Sequence, residues 1–200
     1  MKMLLSIFCG ILGYLLGSVN TSLVVGKFYG TDIRNHGSGN AGLTNSLRVL
    51  GKKAAFLVLL GDVLKGIVSC IIGSVAVGDI GLMAAGAGAI LGHNWPVYFN
   101  FKGGKGVLVS ASVFFMMDWR IALITLAIFI LIVALTRYVS LGSIIGAIVF
   151  PIIAIIYKKD ITFILFSAVI GLLAIVRHKS NIVRILNGTE SKLSFKNSKK

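Results

Sequence analysis

"AAFLVLLGDVLKGIVSCIIGSVAV", residues 54–77, is 24 residues long and carries only two charges, Asp62 and Lys65. A helix needs about 20 residues to cross the hydrocarbon core of a bilayer. Inside lipid, the backbone can satisfy its own hydrogen bonds only as a helix or a closed barrel. An apolar run of this length therefore reads as a membrane-spanning helix. The two charges are three residues apart, close enough on a helix to pair. Left alone, each would cost about 2.5–3.5 kcal/mol at the centre of a span on insertion scales. A structural ion pair and a role in supporting a site are equally open at this point.

Working outward, six more apolar segments can be drawn, at 4–25, 80–99, 107–117, 121–136, 139–157 and 161–176. The segment at 107–117 is too short to cross unaided and reads as a half-span or a tilted helix. The first follows Lys2 and imitates a signal peptide, but it is long for one and has no Ala-x-Ala cleavage pattern. The whole chain agrees with a membrane reading. Of 200 residues, 56% are hydrophobic, mean hydropathy is +0.95 and 13% are charged, about half the usual charged share of soluble domains. Thirteen of the 24 glycines fall within the spans, where they let helices approach closely. Cys9 and Cys70 both lie in apolar runs and read as small packing residues. The expected fold is an all-α integral membrane protein, a compact bundle of about seven transmembrane helices. Residues 1–188 form one membrane-embedded domain and 189–200 a basic C-terminal tail.

Net charge is +14. With seven spans and the first long connection inside, fifteen Lys and Arg fall on the inner side, four fall on the outer side, and Lys65 lies within a span. The positive-inside rule then sets the N-terminus outside and the C-terminus in the cytoplasm. Merging 107–117 and 121–136 into one helix would give six spans and export the basic tail, which the rule opposes. The basic charge does not imply nucleic acid, because no basic stripe is interleaved with exposed aromatics. No His/Cys/carboxylate cluster suggests a metal, and no cofactor is expected.

Three polar connections share the predicted inner face. "GSGNAGLTN", residues 37–45, contributes Ser38, Gly39, Asn40, Thr44 and Asn45, with Arg48 close behind and no carboxylate from Ile33 to Leu50. Glycines let the backbone curl its N–H groups round an anion, and an Arg fork can clamp a phosphate; a flexible linker is the alternative. "FKGGKG", residues 101–106, places Lys102, Gly103, Gly104 and Lys105 just before an apolar run. If that run is helical, its positive end lies beside the lysines. It is not a Walker A loop, since no Gly-Lys-Ser/Thr follows at the required spacing. His93 and Trp95 precede it, His93 reading as a structural hydrogen-bonder and Trp95 as an interfacial anchor. "RHKSN", residues 177–181, ends the last span; on a continuing helix His178 and Asn181 share a face. Ser140 and Ser143 lie just after Arg137 at the same level. Asp79, Asp118 and Asp160 fall at outer turns, leaving Asp32, Asp62 and Glu190 as the acids of the inner side and the membrane.

Taken together and in this order, "GSGNAGLTN", "GHNWPVYFNFKGGKGV" and "RHKSN" resemble the motifs of the bacterial acyl-phosphate:glycerol-3-phosphate acyltransferase family, the PlsY type. The resemblance runs from the first span to about Gly188. It implies an enzyme of the bacterial inner membrane with a seven-helix fold and an active site open to the cytoplasm. Such an enzyme moves a fatty acyl group from acyl phosphate to the 1-hydroxyl of glycerol 3-phosphate, giving 1-acylglycerol 3-phosphate (lysophosphatidate) and phosphate, with no acyl-enzyme. The implied partners are both substrates, the lipid bilayer and, transiently, a soluble enzyme that makes acyl phosphate. By the same resemblance, Ser38, Gly39, Asn40, Thr44, Asn45 and Arg48 bind phosphate groups. Lys105 holds an anion beside Lys102, Gly103 and Gly104, and Ser140 and Ser143 complete the shell. His178 and Asn181 attend the glycerol phosphate and its reacting hydroxyl. Either His178 or a substrate phosphate oxygen takes the proton. The residues suit this chemistry: two anionic substrates need donors and few acids, and a mixed anhydride needs positioning and charge stabilisation more than a strong nucleophile. The His-x4-Asp pattern of other acyltransferases is absent. The rival is a small transporter for a phosphorylated metabolite, although its polar groups would be expected nearer the midplane.

Overall fold

A computed structural model describes residues 1–193. Part of the basic tail, residues 194–200, lies outside the described residues. Among the described residues the ordered elements are helical. They fall into two compact units, Met1–Trp119 and Arg120–Lys200.

The first unit contains α1 (Lys2–Ser18), α2 (Thr21–Phe28), α3 (Leu43–Leu50), α4 (Lys52–Val77), α5 (Asp79–Asn94) and α6 (Val107–Met117). Residues 54–77 form the body of α4, one continuous helix of 26 residues. The first apolar segment is interrupted at Asn20, whose side-chain oxygen accepts from the Leu23 N–H at 3.2 Å and from the Ser22 hydroxyl at 2.7 Å. An Asn that caps a new helix in this way offers the backbone an alternative to continuing the old one. The segment expected at 80–99 stops at Asn94. Trp95 precedes Pro96, and a residue before proline is pushed out of helical geometry; Trp95 has φ −133° and ψ 71°. Gly51 (φ +87°) and Gly78 (φ +72°) form the sharp joints on either side of α4, backbone angles that a side chain disfavours.

Helices α1 and α5 pack closely along a line of small residues. A Cβ added at Gly13 would fall on the Ala85 carbonyl oxygen, and one at Gly17 on that of Ala89. Contacts of this kind suit small-residue packing in a membrane. Cys9 and Cys70 are buried free thiols in the same unit.

The second unit contains α7 (Trp119–Thr136, beginning one residue before the boundary), α8 (Val139–Ile156), α9 (Ile161–Arg177) and α10 (Lys179–Leu186). The Asp160 carboxylate caps α9 by accepting from the Phe163 N–H at 2.9 Å. Beyond the segment drawn at 161–176 the chain does not continue as one straight helix: α9 and α10 are bent by 57°, and His178 is the hinge.

Among the described residues, four helical stretches are long and apolar enough to cross a membrane: Lys2–Phe28, Lys52–Val77, Trp119–Thr136 and Val139–Ile156. The bent pair Ile161–Arg177 and Lys179–Leu186 makes a fifth if it counts as one span, while Val107–Met117 is apolar but short. The lipid-facing side chains are what a bilayer needs: Leu64, Val75, Ile130, Leu135, Leu165 and Val169 are all exposed.

Candidate active site

Asn45 organises the first glycine loop. Its Nδ2 donates to the carbonyls of Ile33 (2.9 Å) and His36 (3.0 Å), and its Oδ1 accepts from the Ser38 N–H (2.9 Å). Buried on the first turn of α3, it draws residues 33–38 over the start of that helix. The Gly39 N–H donates to His36 and the Gly42 N–H to Asn40. The N–H groups of residues 38, 39 and 42 thus serve the loop's own fold, so side chains carry much of what the loop offers an anion. Ser38 and Gly39 are exposed, Asn40 and Thr44 half-buried, and Arg48 exposed on α3.

The second loop lies against the first. Arg34 donates to Phe99 O (3.4 Å) and Lys102 O (3.1 Å). Its Nε is 3.0 Å from Asp32 Oδ1 and its Nη2 2.6 Å from Asp32 Oδ2. Hydrogen bonding to Arg34 holds the Asp32 carboxyl below its usual range, so the one acid beside the loop is already neutralised by Arg34. Gly104 has to be glycine for reasons of space: a Cβ there would fall on His93 Nε2 and on the Ala41 carbonyl oxygen. The Gly104 N–H donates to the His93 carbonyl at 3.1 Å. Lys102 is exposed, Gly103 and Lys105 are half-buried and Gly104 is buried. α6 begins at Val107, so the positive end of that helix does lie beside the lysines.

Behind the loops is a cluster that the sequence placed only in part. Asp62 and Lys65 pair at 2.9 Å. Lys65 Nζ also reaches His93 Nδ1 at 2.9 Å and the Val19 carbonyl at 3.1 Å.

In the second unit, Glu190 gathers the polar groups. Its Oε1 accepts from the Ser140 hydroxyl and from Asn181 Nδ2, each at 2.7 Å, and its Oε2 from Arg184 Nε at 2.7 Å. Burial raises the Glu190 pKa, but the hydrogen bonds from Ser140, Asn181 and Arg184 together with the Arg184 charge outweigh it and leave the carboxyl below its usual range. His178 is buried, with Nδ1 2.7 Å from the Ala174 carbonyl. A carbonyl can only accept, so Nδ1 carries the hydrogen and Nε2 is the acceptor of the neutral ring. Ser143 donates to the Val139 carbonyl of its own helix at 2.9 Å. Sequence reasoning gave Glu190, Arg184 and Arg34 no roles. One signal was available: Glu190 is among the three acids not assigned to an outer turn, and it follows the glycine that ends α10.

These features accompany a consistent set of similarities. The family model described as glycerol-3-phosphate acyltransferase matches residues 7–188. A glycerol-3-phosphate acyltransferase of Thermoanaerobacter sp. (strain X514) is 45% identical over 192 residues, covering 96% of this chain and 97% of that protein. The Clostridioides difficile (strain 630) protein of the same name is 43% identical over 197 residues, covering 95% and 96%. The crystal structure of PlsY, an integral membrane glycerol 3-phosphate acyltransferase, in its glycerol 3-phosphate form superposes with a TM-score of 0.90 at 39% identity, covering 94% of this chain and 96% of that one.

Proposed function

This chain belongs to the glycerol-3-phosphate acyltransferase family, and from that membership we infer that it acylates the 1-hydroxyl of glycerol 3-phosphate with acyl phosphate as the donor. The hydroxyl oxygen attacks the acyl carbon of the mixed anhydride. The new ester C–O bond forms, the bond from the acyl carbon to the bridging oxygen breaks, and phosphate leaves with that oxygen and the electron pair. Transfer is direct, with no acyl-enzyme. The products are 1-acylglycerol 3-phosphate and inorganic phosphate. The hydroxyl proton goes to His178 Nε2 or to a substrate phosphate oxygen. The Nδ1 contact with Ala174 supports the first route, since it leaves Nε2 the basic nitrogen.

The observation that carries this reading is the junction of two glycine loops in the first unit, with Arg34 bridging them and ion-paired to Asp32. Ser38, Thr44, Arg48, Lys102 and Lys105, carried by these loops and α3, are the candidate donors to phosphate. Such an arrangement acts by positioning and charge stabilisation, which is what a good leaving group requires. Asn181 orients the hydroxyl, held in place by Glu190, and Ser140 is held by the same carboxylate. Residues 1–188 act as one acyltransferase domain in the bacterial inner membrane. The excess of Lys and Arg on the loop side favours a site facing the cytoplasm, where a soluble enzyme could hand over acyl phosphate.

The test is to supply purified protein with glycerol 3-phosphate and, in separate reactions, acyl phosphate or acyl-CoA. Lysophosphatidate is expected from acyl phosphate alone. Product from acyl-CoA alone would overturn the donor assignment. Uptake of glycerol 3-phosphate into protein-containing vesicles with no acyl transfer would point to the transporter.

A further inference from the structure

The buried cluster of Asp62, Lys65 and His93 has a hydrogen-bond arithmetic that fixes more than an ion pair. An ammonium has three hydrogens and no acceptor. Around Lys65 Nζ stand three groups: Asp62 Oδ1 at 2.9 Å, the Val19 carbonyl at 3.1 Å and His93 Nδ1 at 2.9 Å. The carbonyl takes one hydrogen, and the 2.9 Å contact with the carboxylate is an ion pair, since Oδ1 accepts no hydrogen bond among the described residues. Another hydrogen goes to the imidazole; an ammonium cannot accept, so Nδ1 is the acceptor and the ring hydrogen sits on Nε2. Asp62 Oδ1 is 3.5 Å from the same Nδ1, longer than its contact with Lys65, so the ammonium is the closer partner of both. The opposite side of the ring meets the loops. His93 Nε2 and the Ala41 carbonyl oxygen both border the point that a Cβ on Gly104 would occupy. Nε2 therefore lies at the point where Gly104 of one loop meets the Ala41 carbonyl of the other.

We propose that Asp62, Lys65 and His93 form a positioning relay that fixes His93 as an Nε2–H donor at the junction of the two glycine loops, and so sets the spacing at which those loops receive a substrate phosphate. Lys65 is the residue that selects the tautomer. Asp62 is the counter-ion of Lys65. His93, 3% exposed, passes that choice to Ala41 on one loop and Gly104 on the other. None of the three contacts the reacting atoms; they act through the loops. The assignment rests on the acyltransferase reading, because the loops are taken to hold the phosphate of acyl phosphate or of glycerol 3-phosphate.

Two replacements of His93 separate this role from simple filling of a polar hole. The terminal amide of His93→Gln lies where Nε2 was and can restore a donor to the loops. That of His93→Asn lies where Nδ1 was and can satisfy Lys65 but not the loops. Steady-state kinetics of the purified full-length variants, varying each substrate separately, read the difference. His93→Asn is expected to raise KM about tenfold, roughly what one lost hydrogen bond amounts to, for the substrate whose phosphate the loops hold. Its kcat and Tm should change little, and His93→Gln should recover most of the loss. The substrate whose KM moves identifies which phosphate is held. Equal KM values in the two variants would overturn the relay. If either variant fails to fold, 15N NMR of histidine-labelled wild type still decides: an Nε2–H tautomer at His93 supports the relay and an Nδ1–H tautomer overturns it. A wild type that makes no lysophosphatidate removes the functional reading, and the relay with it. An active wild type with an unshifted His93→Asn removes the relay alone.

Discussion

Asn45 commits both ends of its amide to the first loop, which makes it a structural residue as well as a candidate phosphate ligand. Replacing it with Ala leaves the Ile33 and His36 carbonyls and the Ser38 N–H without that partner. Buried polar groups left this way cost about 1–3 kcal/mol each, enough to release the loop without unfolding α4. Asn45→Ala should lose at least about tenfold in kcat/KM, and the Ser38 and Gly39 amides should exchange faster with deuterium. Normal exchange with normal kinetics would show that the loop is held otherwise. Glu190 gives a pH signature. Its carboxyl titrates below the usual 4.5 in the folded chain, so its contribution to stability is present above 4.5 and is lost as pH falls through the depressed folded value. Wild type should therefore be more stable than Glu190→Gln at neutral pH, with the gap in Tm closing as the solution is acidified below 4.5. A gap independent of pH would mean that the carboxylate charge is not what Ser140, Asn181 and Arg184 recognise.

At the scale of elements, the apolar runs in the sequence were enough to find the long helices. Runs drawn at 54–77, 107–117, 121–136, 139–157 and 161–176 correspond to α4, α6, α7, α8 and α9 within two residues at each end. The interruptions were harder to see, because each comes from one polar or constrained residue inside an apolar run. Asn20 divides the first segment by capping α2, Pro96 ends α5 early, and His178 turns the chain into α10. The short helix α3 was hidden in a stretch read for its glycines. Candidate site residues were legible by type, as donors in acid-poor loops. Their partners were not: Arg34 bonds carbonyls 65 and 68 positions away and Glu190 bonds a serine 50 positions back. The α1–α5 seam yields its own prediction. Gly13→Val pushes a side chain into the Ala85 backbone, an overpacking that typically costs about 1–3 kcal/mol or more. Yield of folded protein in detergent and Tm should both fall. Gly10→Ala, on the same helix, where the nearest atom lies 3.5 Å from the added Cβ, should be milder. Equal effects would mean that the seam is not closely packed.

For the whole molecule, orientation and reaction are linked by charge. The loops at 26–53 and 100–106 and the residues after Arg177 carry most of the Lys and Arg, so an acyltransferase built on them should work from the cytoplasm. A reporter active only in the cytoplasm, fused to the C-terminus, should be active; an inactive fusion alongside an active N-terminal one would invert the topology. The reaction is tested most directly by the ratio of inorganic phosphate released to lysophosphatidate formed when purified protein meets acyl phosphate and glycerol 3-phosphate. Direct transfer predicts equal amounts, with neither product when glycerol 3-phosphate is withheld. Phosphate released without lysophosphatidate, or lysophosphatidate formed without matching phosphate, would contradict it.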